Sequence, residues 1–211
     1  AKLELEDKIQ GGKFDEAKIR SIVAASDLVA AKNRYNSTET VYNASKHVVV
    51  VAVRGYNLGS DGENDRRIYD DAHFIVTPDS VKMFEGNTDP NGWRKGSGTG
   101  SNKGMACLDT GVWFFAKGPH KGRPSFRQAS EFTVIRDGRP DYKHTGFHAI
   151  NWHSGGYNST SSLGCQTNRP DDYNELRNYM YTQLEKWDNP KMKNDWSQKE
   201  RAFPYILVEN S

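Results

Sequence analysis

Residues 144–172, HTGFHAINWHSGGYNSTSSLGCQTNRPDD, concentrate the reactive side chains of the chain: His144, His148 and His153, and Cys165, one of two cysteines. A cysteine attacks a carbonyl only as thiolate, and an imidazole within hydrogen-bond reach can take its proton and later pass it to a leaving amine. Cys165 follows Ser162-Leu163-Gly164. A glycine there lets the backbone bend tightly, so that the thiol and nearby amide N–H groups face a substrate oxyanion. Residue chemistry alone leaves a structural reading of Cys165 equally open, because free cysteine is often simply a small core residue. Cys107, in GMACLDTG, has no histidine beside it and reads as buried and inert. A bridge between the two cysteines is open but unforced.

A zinc site built from His144, His148 and His153 is the other sharp chemistry. Its ligands would come from a glycine-interrupted, strand-like segment, where no helix aligns them on one face. His148 and His153 are an odd number of residues apart, so on a regular strand they face opposite sides and at most one is expected beside Cys165. DGENDRRIYDD has acids at alternate positions, Asp61, Glu63 and Asp65, but Arg66 and Ala72 stand where a calcium loop needs Gly and Glu. It reads as a solvated turn of mixed charge. GWRKGSGTGSNKG completes neither a phosphate-loop nor a dinucleotide spacing and reads as a surface loop, with a lid over a cleft as the functional alternative.

The elements that must position these groups are mostly strands. HVVVVAVRGY, HFIVTPD, VWFFAKG, EFTVIRDG and PYILVE are β-branched or aromatic runs bounded by turn residues. After Pro170, Tyr173, Leu176, Met180, Leu184 and Trp187 recur at helical spacing, behind Asp171 and Asp172 at the positive end of the helix. A first amphipathic helix is expected from Phe14 to about Asn33. Strands without regular βαβ alternation predict an α+β, mainly β domain. The expected division is a helical appendage over 1–40, read as a brace because one helix cannot bury a core by itself, and a strand-rich domain over 41–211.

The chain has 211 residues, the size of one compact domain. Nine Phe, ten Tyr and five Trp supply a core although only 35% of residues are hydrophobic. With 29 Lys and Arg against 27 Asp and Glu, the net charge of +2 gives no field for a phosphate backbone, which argues against nucleic-acid binding. Apolar runs are far shorter than the roughly 20 residues of a membrane span, so no membrane insertion is expected. The first residues carry alternating charge where a secretory signal needs an apolar stretch, so delivery by another route or prior removal of a leader is expected.

The segment from Gly146 to Asn168, with Ile150-Asn151-Trp152-His153-Ser154 and then Ser162-Leu163-Gly164-Cys165, resembles the active-site signature of the L,D-transpeptidase (YkuD-like) catalytic domain. That signature is a histidine often followed by Gly or Ser, a variable loop, and Ser/Thr-x-Gly-Cys. The wider layout, with RGYNLGSDGENDRRIYDDAHFIVTPD, NTDP, FRQASEFTVIRDG and SSLGCQTN, is similar to phage and prophage relatives of that domain, lysis enzymes among them. The resemblance implies a β-sheet catalytic domain with Cys165 as nucleophile and His153 as base. Ser154 orients the histidine, and the amides near Gly164 and Cys165 hold the oxyanion. Ser162, Arg169 and His148 are the implied substrate contacts, Arg169 as the cation nearest the thiol in sequence. The implied partner is a peptidoglycan stem peptide, with no metal or other cofactor and a monomeric enzyme. Only eleven residues separate His153 from Cys165, and Leu163 stands where the family usually has histidine. A trimmed loop opens the site to water, so hydrolysis of the stem peptide is expected. The alternatives are cross-linking transpeptidation, a zinc-dependent wall peptidase, and a non-catalytic wall-binding or virion protein.

Overall fold

The computed structural model describes residues 14–33, 36–58, 63–96, 103–194 and 199–210. Asp61 and the centre of the glycine-rich loop, 97–102, lie outside the described residues. In chain order the elements are α1 (Glu16–Ala25), β1 (Val29–Ala30), β2 (Thr40–Val41), β3 (Val49–Arg54), β4 (Asp71–Val76), β5 (Val81–Gly86), β6 (Ala106–Leu108), β7 (Gly111–His120), β8 (Arg123–Gln128), β9 (Phe132–Arg136), β10 (Tyr142–Gly146), β11 (Asn151–Ser154), β12 (Gln166–Asn168), α2 (Pro170–Lys186), β13 (Lys191–Met192) and β14 (Glu200–Glu209). Among the described residues the fold is mainly β with two helices.

The main sheet runs β12-β11-β8-β7-β14-β3-β4-β5, with β13 paired to β14. Its pairs are antiparallel except β14 with β3 and β11 with β12. Beyond β5, Asn87 exchanges both backbone hydrogen bonds with Thr167 of β12, at 2.7 and 2.9 Å, so the two ends of the sheet meet. A second sheet, β10-β9-β6, is antiparallel throughout.

The pleat of β3 explains the two cores. Successive side chains on a strand point to opposite faces. Val49, Val51 and Val53 join Ile19, Ile22 and Val23 of α1 in one apolar cluster, whereas Val48, Val50 and Ala52 join Leu176, Met180 and Leu184 of α2 in the other. The run VVVVAV is therefore buried on both faces, as its lack of polar alternation requires. In α2, Pro170 opens the first turn, Asp171 and Asp172 face the positive helix end, and Lys186 lies in the last turn.

The first helix is shorter than its periodicity predicts. It starts at the Asp15 cap, which accepts from the Lys18 N–H at 2.8 Å, and stops at Ala25, not near Asn33. Ser26 turns to extended backbone and Asp27 Oδ1 accepts from the Val29 N–H at 3.1 Å, closing a local turn that leads into β1. The charged segment leading into β4 is a turn with Glu63, Asp65 and Arg67 exposed, as expected, but it is anchored at Arg66 and at its end. Arg66 pairs with Asp137 at 2.9 Å, and Asp70 and Asp71 are buried.

Candidate active site

The site is a cleft of about 860 Å³ with Cys165 and His153 in its walls. On β11, Trp152 points into the core and donates through Nε1 to Asn168 Oδ1 at 2.6 Å. The period of two then turns its neighbours Asn151 and His153 to the cleft. Parallel pairing sets Trp152 beside Gln166 and His153 beside Thr167, which fixes the chain just after Cys165 against the histidine strand.

Cys165 closes a tight turn held by Ser162, whose Oγ accepts the Gly164 N–H at 2.9 Å and donates to the Cys165 carbonyl at 2.6 Å. Gly164 has φ +142°, and a Cβ there would lie 2.3 Å from the Ala106 carbonyl oxygen. Only glycine fits both the torsion and the approach of β6. The thiol is half-buried and accepts the Asn151 N–H at 3.4 Å. Burial pushes its pKa up, and the Asn151 hydrogen bonds oppose that rise.

His153 Nδ1 lies 2.7 Å from the Ser154 carbonyl. A carbonyl can only accept, so Nδ1 carries the proton and Nε2 holds the lone pair. Burial lowers the pKa of His153, with Lys121 adding to the effect and the Ser154 carbonyl opposing it. Among the described residues no hydrogen bond joins His153 to Cys165. His120, from the end of β7, stacks on His153 with ring centroids 4.5 Å apart and planes 12° off parallel. Its Nδ1 accepts from Asn151 Nδ2 at 3.0 Å, an amide that also donates to the Ala149 carbonyl. Burial, followed by His153, Lys121 and Arg127, lowers the His120 pKa to about 4.

The sequence-derived candidates separate. Cys165, His153, Gly164 and His148 line the cleft, and Ser154 holds His153 from behind through its carbonyl. Finding both His148 and His153 there corrects the parity argument: His148 precedes β11, and Ala149 between them has φ +56°, so no regular strand connects the two. Ser162 is buried and its hydroxyl is committed within the turn, so it shapes the Cys165 loop and its hydroxyl does not face the cleft as the substrate contact expected of it. Arg169 does not line the cleft; at the N-cap of α2 its guanidinium covers the Tyr69 ring at 5.5 Å. The histidines considered for zinc do not converge either, since His144 and His148 face each other at 4.7 Å while His153 lies against His120. Cys107 is buried, with its thiol donating to Asp89 Oδ1 at 2.9 Å, and both cysteines are free.

His120, Asn151 and the cleft cations escaped sequence reasoning. Asn151, an asparagine beside Trp152, carries no local signal of its contact with His120. His120 lies in PHKGRP, the tip of the β7–β8 hairpin, which the pairing of β8 with β11 brings to His153. Family models, curated proteins and solved structures compared with this chain give no match.

Proposed function

We propose that the chain is a cysteine-dependent hydrolase of peptidoglycan stem peptides, with an L,D-transpeptidase-like catalytic domain acting as a carboxypeptidase or endopeptidase in wall lysis. One observation carries this reading: Cys165, on a turn that only glycine can form, shares a cleft with a His153 whose Nδ1 is tied to the Ser154 carbonyl. That tie leaves Nε2 as the basic nitrogen. It takes the thiol proton as sulfur attacks the carbonyl carbon, and the resulting Nε2–H then protonates the departing amine as the C–N bond breaks. Water, deprotonated by the same imidazole, opens the thioester, restores the thiol and releases a carboxylate. The Gly164 N–H is committed to Ser162, so the oxyanion is left to the Cys165 N–H and to the cleft cations Lys121 and Arg127. A resting pair without a direct hydrogen bond is compatible with this chemistry, since such contacts tighten in the substrate complex. The eleven-residue loop and the exposed Tyr157 and Leu163 support water over a bulky amine as acceptor.

Hydrolysis of a stem tetrapeptide, followed after treatment with iodoacetamide or with EDTA, tests the reading. Loss of turnover with the alkylating agent alone is the expected result. Loss with EDTA alone would replace it with a metal-dependent peptidase.

A further inference from the structure

Among the described residues five cationic side chains, Arg94, Lys103, Lys121, Arg127 and Arg136, line the cleft, and no aspartate or glutamate does. The chain as a whole is nearly balanced in charge, so this segregation is local. Arg136 of β9 is the most unusual of the five. It is 7% exposed, and among the described residues its guanidinium donates only to neutral acceptors: Nε to His144 Nδ1 at 3.1 Å, Nη1 to the Gly104 carbonyl at 2.9 Å and Nη2 to His148 Nδ1 at 3.5 Å. His148 Nε2 faces the His144 and Phe132 carbonyls at 3.0 and 3.2 Å, which fixes its proton on that nitrogen and leaves Nδ1 as acceptor.

Two other guanidiniums set the contrast. Arg54 pairs with Asp89 and Arg66 with Asp137, each at 2.9 Å, whereas Arg136 has no ion pair with any described carboxylate. Burying a guanidinium without a counter-charge is costly, and a carboxylate arriving from a ligand removes that cost. Arg94 and Lys103 reinforce the same flank, since the Met105 N–H donates to the Arg94 carbonyl and Lys103 adjoins the Gly104 that holds Arg136. The Cys165 turn touches this flank where Gly164 meets Ala106, the residue paired with Arg136 across β6 and β9.

We propose that Arg136, with Arg94 and Lys103, forms a carboxylate-recognition subsite that anchors a free carboxylate of the peptide whose carbonyl Cys165 attacks. This inference rests on the stem-peptide reading of the cleft. The subsite makes the enzyme sensitive to the amidation state of its substrate, because an amide keeps the shape of a carboxylate but not its charge.

A diaminopimelate-type stem tetrapeptide, and analogues amidated singly at the glutamate α-carboxyl, the diaminopimelate carboxyl or the C-terminus, provide the test. For wild type, one amidation is expected to raise KM by about ten- to a hundredfold with kcat little changed. In Arg136→Gln the acid form should lose that same factor and the amidation should no longer matter. Equal amidation penalties in wild type and Arg136→Gln, or no penalty at all, would overturn the subsite while leaving the hydrolase reading intact. Should Arg136→Gln fail to fold, the Arg94→Gln/Lys103→Gln double variant carries the same comparison. Calorimetric binding to Cys165→Ala separates the two claims. Carboxylate-dependent binding without any wild-type turnover would retain the subsite and remove the hydrolase.

Discussion

His153 and Cys165 are both held in their neutral forms near pH 7. Burial lowers the imidazole from its usual 6.5 and raises the thiol from its usual 9.0. If Nε2 of His153 is the base, activity requires it unprotonated, so a lowered pKa moves the acid limb of kcat/KM below pH 6.5. A limb at or above the ordinary histidine value would remove His153 from that role. Gly164 gives a second test at this scale. Alanine would force a φ near +142° and a clash with the Ala106 carbonyl. Gly164→Ala is therefore expected to cost at least about 1–3 kcal/mol in urea denaturation and to reduce turnover, since Cys165 moves with its turn. Unchanged stability would mean that the turn tolerates a side chain after all.

Helices and strands divide the work between stability and site. Leu176 of α2 is fully buried against the sheet face that carries Trp152, and α1 packs on the opposite face. Leu176→Ala is expected to destabilise by about 2–5 kcal/mol, and Ile19→Ala by a similar amount if α1 is part of the cooperative unit. A negligible effect of Ile19→Ala in thermal denaturation would make α1 an independent appendage. Long apolar elements were legible in the sequence: VVVVAV as β3, FIV within β4 and the three-and-four spacing of α2 all announce burial. Strands β8, RPSFRQ, and β10, YKHTG, were not, because polar residues fill them and cross-strand pairing sets their conformation. The site divides the same way. His153 and Cys165 sit close in sequence and share a cleft, whereas His120, Arg94, Lys103 and Arg136 arrive from other strands and loops. Arg169 misled because nearness along the chain does not survive the turn into α2, whose first residues lead away from the cleft.

Across the molecule, a buried polar network ties the cleft to the core. His73 Nε2 donates to the Tyr205 hydroxyl at 3.0 Å, Tyr205 donates to Gln166 at 2.8 Å, and Asn168 Nδ2 donates to His73 Nδ1 at 3.2 Å. Both Gln166 and Asn168 belong to β12, the strand that follows Cys165. Burial lowers His73 to about 3, so the unfolded chain takes up this proton first and the stability it contributes is lost as pH falls below 6.5. Asp70 acts in the opposite sense. Burial raises it to about 6, so its native form gains stability as pH falls from about 6 toward 3.8. Asp70→Asn should therefore lose stability more steeply than wild type between pH 6 and 4 in urea denaturation. Parallel slopes would show that Asp70 titrates normally. The central claim is that Cys165 cuts stem peptides. Its most direct test is mass spectrometry of diaminopimelate-type muropeptides, monomeric and cross-linked, after incubation with wild type, Cys107→Ala and Cys165→Ala. Loss of D-alanine or opening of cross-links by wild type and Cys107→Ala, but not by a folded Cys165→Ala, is the predicted result. Unchanged muropeptides with all three proteins, or turnover that survives in Cys165→Ala, would contradict it.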